Sequence, residues 1–569
     1  MDGGEQAEQT RREQEASRGE QTGGEQTREE RAGGKQAGQG QAGEEHARKE
    51  PADEERVDES LTARPFITAY EAYPELERLF LGAKTEIWAG FRIFDLRTRL
   101  RSREGQAIGA TWFDLIVHRL RAGVKIHLVL ADFDPALATP LHRGTWRTVQ
   151  QFCAAREIAG GDGLDLLPVR QPARAGLVPR ILFSPAVLAR AARELRDLDD
   201  ADEDERREAL TTSVGLRPWV RDPEKGGFQF RFWPIPDIHP GTHHQKLAVF
   251  DRRVLFIGGL DLNERRYDDP NHERPGEQTW HDVVVVTKEP DCVAAAQAHL
   301  EALLGGQEPP PAQRGGNPRF VRTISRDGSH RPFRLSPIPF IRESEAENRK
   351  IFTSARRLVF IETQYFRHRP LARTLARAAR LNPDLELILM LPAAPEEVAF
   401  DPKPGLDARY GEYLQARCIR RLERAFGSRA FIGMPLRPAP AQSDDRDTAH
   451  GSEIVYIHAK VSIADDAIAM VGSANLNGRS MRWDTEASVV FNDTHSVAHL
   501  RRRLFAHWLP EDAPEAAFDL ATARATWAEI AQQNLRRPPT ERRGFIVPYD
   551  VSPAEDFGKP VPAIPEEVV

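Results

Sequence analysis

The sequence predicts an α/β protein made of two halves with a similar plan. From residue 66 onward, apolar segments with a strand period alternate with segments that have a helical period, which is typical of a sheet with helices packed against it. The alternation stops at a Gly- and Pro-rich stretch, residues 306–317, and then begins again. One pattern of polar residues also occurs on both sides of this stretch with the same spacing. An internal duplication explains all three observations.

The individual elements follow from these periods. In the first half the sequence predicts a helix over 71–81, a strand over 86–94, a helix over 112–122, a strand over 124–131 and a charged helical insertion over 186–210, either a solvated helix or a lid. In the second half it predicts a strand over 357–363, a helix over 371–380, a strand over 385–391 and a helix over 411–425.

Composition sets the boundaries of the segments. Residues 1–60 carry 17 acidic and 9 basic residues and no aromatic residue, so they cannot bury enough apolar surface to fold and are predicted to be disordered. We expect five segments: an extension over 1–60, a first half over 65–305, a linker over 306–317, a second half over 318–510 and a tail over 511–569 that forms a strap across the surface.

Charge, hydropathy and cysteine content exclude several classes of protein. The extension carries a net −8 of the total −7, so the rest of the chain is near neutral, which disfavours a duplex-DNA binder, and no nucleic acid is expected. No run reaches the ~18–20 apolar residues of a membrane span, and no basic-then-apolar leader follows Met1. Cys153, Cys292 and Cys418 are isolated, which favours a reducing compartment. We expect a cytoplasmic protein with peripheral membrane contact, with export lacking a cleavable leader as the alternative.

The repeated pattern is a His-x-Lys-x4-Asp motif followed by a Gly and an Asp or Asn. His to Lys is two residues, His to Asp seven, His to the Gly fourteen and His to the Asp or Asn seventeen in both copies. The two copies are His244, Lys246, Asp251, Gly258 and Asp261, and His458, Lys460, Asp465, Gly472 and Asn475. Because Lys is rare in this chain, with eleven occurrences, two chance copies are not expected.

Strand geometry indicates how the motif is displayed. The residues after each His are apolar and strand-like, and side chains two apart share one face of a strand. His244 and Lys246 therefore point to the same side, as do His458 and Lys460. Asp251 and Asp465 complete the motif and are counted among its catalytic residues, although at an odd offset beside a turn they are expected to support the site from behind or to anchor the turn.

Two His and two Lys suit phosphodiester chemistry that needs no metal. One imidazole can attack phosphorus while the other protonates the leaving group. The two ammonium groups can neutralise the charge on the phosphoryl oxygens. The sequence contains neither a clustered-carboxylate metal site nor a Gly-rich nucleotide loop, so we expect no metal and no cofactor.

These motifs resemble those of the phospholipase D superfamily, and the match extends over residues 66–510. The flanking segments 258–268, 279–282, 361–366 and 475–480 are similar to the eukaryotic-type enzymes, although a bacterial member is expected. The resemblance implies two α/β/α sandwich halves related by a pseudo-twofold axis, with the active site at their interface. It also implies that one chain supplies a whole site, so a monomer is expected.

The resemblance also implies residue roles. His244 is expected to be the nucleophile that forms a phosphohistidine, and His458 the general acid that later activates water. Lys246, Lys460 and Asn475 would hold the phosphoryl oxygens. Asp282 and Glu486 would orient the imidazoles. Asp261, which stands where the second copy has Asn475, is taken as scaffold.

The leading hypothesis is a metal-independent phospholipase D that acts at a phospholipid membrane surface, releases the head group to leave phosphatidic acid and transfers the phosphatidyl group to alcohols as a side reaction. Three alternatives stay open. They are a cardiolipin synthase-type phosphatidyltransferase, a nuclease of the same superfamily and a catalytically inactive lipid-binding protein. Head-group preference and the export route are not encoded in any motif that we recognise.

Overall fold

The computed structural model describes residues 58, 60–199, 202–221, 229–400, 404–442, 447–562 and 564–569. The extension predicted over 1–60 lies almost entirely outside the described residues. The rest of the chain forms two large sheets, one in each half of the sequence.

The elements of the first half are nine strands and seven helices among the described residues. The strands are β1 (Arg64–Ile67), β2 (Glu86–Phe91), β3 (Lys125–Ala131), β4 (Leu164–Val169), β5 (Val220–Arg221), β6 (Gln229–Phe230), β7 (Leu247–Phe250), β8 (Val254–Gly258) and β9 (Val283–Thr287). The helices are α1 (Thr68–Gly82), α2 (Arg103–Gln106), α3 (Trp112–Arg121), α4 (Thr139–Ala159), α5 (Leu177–Asp199), α6 (Glu203–Thr212) and α7 (Pro290–Leu304).

The second half continues both series. Its strands are β10 (Arg319–Arg326), β11 (Ile338–Arg342), β12 (Leu358–Thr363), β13 (Glu386–Met390), β14 (Ala430–Pro435), β15 (Thr448–Ala449), β16 (Ser452–Glu453), β17 (Lys460–Ala464), β18 (Ile468–Gly472), β19 (Glu486–Phe491) and β20 (Ile546–Pro548). Its helices are α8 (Glu343–Ser354), α9 (Arg369–Leu381), α10 (Glu396–Ala399), α11 (Leu406–Phe426), α12 (Gly478–Arg482), α13 (Thr494–Trp508), α14 (Ala523–Arg536) and α15 (Ser552–Phe557).

The strand order of the two sheets confirms the internal duplication. The first sheet has the order β1-β9-β8-β7-β2-β3-β4, and the second contains the same path as β10-β19-β18-β17-β12-β13-β14, with β11 and β20 added at its edges. In each half three strands are parallel, β2-β3-β4 and β12-β13-β14, and the others pair antiparallel. The predicted two-half α/β fold is therefore confirmed.

The two halves share a hydrophobic core. Side chains on β7, β8 and β9, such as Leu247 and Ile257, lie in one buried cluster with side chains on β17 and β18, such as Val461 and Val471. The opposite face of the first sheet packs on α1 and α3, and that of the second sheet on α8, α9 and α11. Because side chains of both halves pack in this central cluster, the first residues of β7 and β17 are held close to each other.

Apart from the charged insertion, the predicted elements of both halves are confirmed within about five residues at each end. The helix predicted over 112–122 is α3, which begins after a capping box in which Asp114 Oδ2 accepts the Thr111 amide at 2.9 Å. The insertion predicted over 186–210 is two helices, α5 and α6, and α5 begins nine residues earlier than expected. The sequence obscured this start because Pro179 and Pro185 interrupt the helical period.

The tail does more than cross the surface. Trp527 of α14 is fully buried in the shared core, and β20 pairs antiparallel with β14 at the edge of the second sheet. The second half therefore extends beyond the boundary at residue 510, because the tail supplies both a core side chain and an edge strand.

The three cysteines are unpaired, as expected. Cys292 and Cys418 are buried, and burial raises the pKa of each thiol to about 12. Among the helices of the described residues, none combines the length and the hydropathy of a bilayer span.

Candidate active site

The two His-x-Lys motifs lie at equivalent places in the two sheets. β7 runs antiparallel to β2, with Leu247 opposite Gly90, and β17 runs antiparallel to β12, with Lys460 opposite Thr363. The start of each motif strand therefore lies at the carboxyl end of the central parallel strands, the edge at which α/β sheets bind ligands.

Backbone hydrogen bonds between the halves fix the approach of the two motifs. They form two matching pairs of 2.7–2.9 Å. In each pair the amide of the motif His donates to the residue that precedes the carboxylate of the other half, and the amide of that residue donates to the carbonyl two residues before the His. The bonds are His244 N to Thr485 O, Thr485 N to Thr242 O, His458 N to His281 O and His281 N to Tyr456 O. The arrangement has the local symmetry of a pseudo-twofold axis.

Each motif imidazole is held by a carboxylate from the opposite half. His458 Nδ1 lies 2.7 Å from Asp282 Oδ2, and His244 Nδ1 lies 3.1 Å from both carboxylate oxygens of Glu486. Since Nδ1 faces a carboxylate, the neutral ring carries its proton there and leaves the Nε2 lone pair available. The ring centroids are 6.4 Å apart, so the two imidazoles face a common space.

The two lysines lie beneath the imidazoles and are buried. Lys246 Nζ donates to the carbonyl of His244 at 2.5 Å, and Lys460 Nζ donates to the carbonyl of His458. Lys246 Nζ is also 3.6 Å from Asp261 Oδ2. The Asn475 side-chain oxygen is buried and has no hydrogen-bond partner among the described residues. The structure thus brings both lysines and both imidazoles to one site and places Asp261 as a counter-charge to Lys246.

Burial shifts the pKa of both imidazoles and of the two carboxyl groups that hold them. It lowers the pKa of His244 and of His458 well below the usual range, and the lysine charges add to this effect. Burial also raises the pKa of Glu486 to about 8 and raises that of Asp282. The free protein therefore holds neutral imidazoles, and an incoming anion would favour their protonation.

Lys460 gives this site a testable pH dependence. Burial lowers its pKa to about 7, and Lys246 contributes in the same direction. Because the charged form of Lys460 exists below that pKa, its loss should make kcat/KM for a soluble phosphodiester fall about tenfold per pH unit as the pH rises above 7. Lys460→Arg, which stays charged, should move the fall to higher pH while it lowers the rate. An unchanged midpoint in this variant would contradict the assignment.

Asp251 and Asp465 lie at the opposite ends of the motif strands from the histidines. Asp251, with φ 49°, accepts backbone amides at the start of β2, among them those of Lys84 and Glu86 at 2.7 and 3.0 Å. Asp465, with φ 54°, accepts three amides at the start of β12 at 2.8 Å, among them that of Leu358. The structure does not bring these two carboxylates into the site, and they anchor turns.

Three arginines surround the site, and sequence reasoning assigned none of them. Arg92 and Arg479 lower the pKa of His244, and Arg266 lowers that of His458. The guanidinium of Arg266 lies 3.5 Å from the ring centroid of Trp280, and the Trp280 ring is tilted against that of His458, with the ring centroids 4.5 Å apart. Arg92 follows directly after β2, and this position at the carboxyl end of a central strand was the signal that could have identified it.

Comparisons with known proteins agree with the motifs. A family described as "Cardiolipin synthase, PLD-like domain" matches residues 349–508. Phospholipase D1 of Schizosaccharomyces pombe is 25% identical, over 45% of this chain and 25% of that protein. Cardiolipin synthase B of Escherichia coli K12 is 27% identical, over 46% of this chain and 54% of that protein. The chain thus spans about a quarter to a half of these relatives.

Among solved structures, the phosphatidylserine synthase of Haemophilus influenzae Rd KW20 aligns over 78% of this chain and 85% of that chain, with a TM-score of 0.47 and 12% identity.

Proposed function

Because the chain belongs to the phospholipase D superfamily, we propose that it is a phospholipase D that hydrolyses the head-group phosphodiester of glycerophospholipids to phosphatidic acid. The observation that carries this proposal is the pair of imidazoles facing one space, each bonded through Nδ1 to a carboxylate of the other half. This arrangement suits a displacement in two steps, because one ring can attack while the other transfers a proton.

In the first step, the Nε2 lone pair of His244 attacks phosphorus and the bond from phosphorus to the head-group oxygen breaks. His458 gives its proton to the departing oxygen, and a phosphohistidine remains. In the second step, His458 takes a proton from water, the water oxygen attacks phosphorus, and the bond to nitrogen breaks with its electron pair returning to His244. The product is phosphatidic acid, or a new phosphatidyl ester when an alcohol replaces water.

Lys246, Lys460 and Asn475 would stabilise the phosphoryl oxygens during both steps. The ammonium groups are buried, so their attraction for a phosphoryl anion is stronger than it would be in water. The oxygen of Asn475 has no hydrogen-bond partner among the described residues, and its amide N–H group would be the donor to a phosphoryl oxygen. A bound phosphodiester would raise the pKa of His458 and so supply the proton that the first step requires.

An exposed apolar patch supports membrane contact. It consists of the start of α5, the loop after β6 and a residue of the loop between β10 and β11. Its members include Leu182, Phe232, Trp233 and Phe333, which are 71–81% exposed. Val178 N donates to Pro332 O at 2.8 Å and Arg180 Nε donates to Pro236 O at 3.1 Å, so the three segments are adjacent. An exposed patch of this kind is typical of an interaction surface.

The patch lies on the same side of the first sheet as the active site. α5 follows the carboxyl end of β4, and the loop that carries Trp233 continues directly into His244. Ala175 N donates to Ile238 O at 2.9 Å, which joins these two segments. We therefore propose that the patch inserts into a phospholipid surface and presents the site to the head groups.

Introducing a negative charge into this patch should distinguish an effect on membrane binding from an effect on the chemical steps. Leu182→Glu, Trp233→Glu and Phe333→Glu should each lower activity on vesicles by about tenfold. Each substitution removes an apolar side chain whose burial in the membrane contributes about 1.5–3 kcal/mol of binding free energy. Activity on a monomeric short-chain phospholipid should stay within about twofold. Leu381→Glu, equally exposed at the end of α9, is the matched control. Equal losses on both substrates would contradict membrane insertion.

Phosphatidyl transfer is the second candidate. It is favoured by the family that matches residues 349–508 and by the similarity to cardiolipin synthase B. The same phosphohistidine would serve both reactions, and the acceptor that reaches it would decide the product. The near-neutral charge of residues 61–569 offers no comparable support for a nuclease.

The test is incubation of the purified protein with vesicles of phosphatidylcholine, phosphatidylethanolamine and phosphatidylglycerol in the presence of ethanol. Phosphatidic acid and phosphatidylethanol are expected, and both should be absent with His244→Ala and His458→Ala. Cardiolipin as the main product would favour the synthase. No consumption of lipid, with cleavage of single-stranded nucleic acid by the same sample, would overturn the proposal.

A further inference from the structure

Three histidines meet outside the catalytic pair. His507 Nε2, at the end of α13, lies 3.0 Å from His272 Nε2 and 3.1 Å from His281 Nδ1. All three nitrogens lie within 4.8 Å of one another. Nitrogen ligands at about 2.0–2.1 Å from a tetrahedral metal lie about 3.3–3.4 Å apart, so these separations are close to those of a metal site.

Two carboxylates orient the rings. His272 Nδ1 is 2.7 Å from Asp268 Oδ2, and His281 Nε2 is 3.0 Å from Glu362 Oε2. Each ring therefore carries its proton on the nitrogen that faces the carboxylate and turns a lone pair toward His507. Carboxylates bonded to the far nitrogen of a metal-binding imidazole are usual at metal sites, because they fix the tautomer and increase the basicity of the ligand.

Hydrogen bonding alone does not satisfy this cluster. With neutral rings, His507 Nε2 can donate one proton, but it faces the lone pairs of both His272 Nε2 and His281 Nδ1. One of the two contacts of about 3 Å therefore lacks a hydrogen bond. With His272 and His281 both protonated, two N–H groups would compete for the single lone pair of His507. A cation that accepts all three lone pairs removes the conflict.

The charge of the two carboxylates also favours a bound cation. Asp268 and Glu362 are fully buried, and within the described part of the chain neither forms an ion pair with Lys or Arg. Two buried carboxylates without a positive partner are costly. A divalent cation among their histidines would balance both charges. Trp508, 4.3 Å from the ring of His281 and stacked 5.8 Å from that of His272, covers one side of the cluster.

We propose that His272, His281 and His507 form a binding site for a divalent transition metal of the zinc class, with water as a fourth ligand. Three neutral imidazoles suit Zn²⁺ and do not suit Ca²⁺ or Mg²⁺, which prefer oxygen. The half-buried His507 leaves one side of the site open to water.

The proposed ion has a structural role. The backbone of His281 bonds to Tyr456 and His458 in the other half, and His281 directly precedes Asp282, which holds His458. A metal that fixed His281 to α13 would therefore brace the general acid from behind, without contact to substrate.

The test uses the full chain, stripped of metal by a chelator and then titrated with Zn²⁺ or Co²⁺. The wild type should bind one Zn²⁺ per chain with a rise in melting temperature, and Co²⁺ should give the visible absorption of a tetrahedral nitrogen site. His507→Ala should weaken binding at least about hundredfold, and Asp268→Asn, which removes an orienting carboxylate, about 10–100-fold. His244→Ala, in the catalytic pair, and His499→Ala, half-buried on the same helix, should bind as the wild type does.

Three results would overturn the site. They are no metal uptake by the stripped wild type, equal Zn²⁺ affinity in His507→Ala, and loss of binding in His244→Ala. The Co²⁺ spectrum of the wild type decides the question by itself if the variants do not fold, because an octahedral spectrum is incompatible with three imidazoles in a tetrahedral set. None of these measurements depends on catalytic activity, so they are independent of the proposed function.

Discussion

His244→Ala and His458→Ala are each expected to lower the rate of head-group release by at least about 10³-fold, because each removes a group that forms or breaks a bond to phosphorus or moves a proton. The double variant should be little worse than either single variant, since the two rings act as a unit. The measurement is release of head group from vesicles, with unfolding followed in parallel. His243→Asn, adjacent in the chain and with neither ring nitrogen hydrogen-bonded among the described residues, is the matched control.

A substrate with a leaving group that needs no proton separates the two histidines. With the p-nitrophenyl ester of phosphatidic acid, His458→Ala should still release one equivalent of nitrophenol, because His244 can attack this substrate without a general acid. Protein that carries the phosphatidyl group should accumulate, because water is not activated. His244→Ala should give neither the burst nor the label. The opposite result would exchange the two roles.

Asp282→Asn is the second large expected effect, a loss of about 10²–10⁴-fold in kcat with the fold retained. Its carboxylate lies 2.7 Å from His458 Nδ1, and an amide there can present its N–H to the ring and stabilise the wrong tautomer. Glu486→Gln should act in the same way on His244 but more weakly, because both of its contacts are 3.1 Å long. Kinetics on the short-chain substrate measure the effect apart from membrane binding.

Asp465→Asn is the matched control for this pair. It makes the same chemical change at a carboxylate that accepts three backbone amides at the start of β12. Its melting temperature should fall while kcat stays within a fewfold of the wild type. A loss of kcat as large as that of Asp282→Asn would mean that the motif aspartates act in the chemistry.

The repeated spacing of His, Lys and Gly predicted the duplication and the placement of both histidines with their lysines, because residues two apart share a face of any strand. The sequence could not say which carboxylate holds which imidazole. Asp282 and Glu486 each bond to the histidine of the other half, and that exchange depends on how two sheets pack rather than on local spacing.

Other features were hidden for the same reason. His507 lies more than 200 residues after His272 and His281, so no ligand spacing indicated a metal site, and the expectation was that there is none. The exposed start of α5 lay outside the predicted insertion because prolines broke its helical period. Trp527 and β20 belong to the core of the second half only after the chain has folded back on itself.

The exchange of carboxylates also constrains how such a chain can change. Each copy of the repeat keeps its own imidazole, but the carboxylate bonded to that imidazole belongs to the other copy. A change at the start of β9 would therefore remove the partner of the histidine before β17, and a change at the start of β19 would remove the partner of the histidine before β7. Both copies of the repeat are therefore needed to hold either imidazole in its hydrogen-bonded orientation.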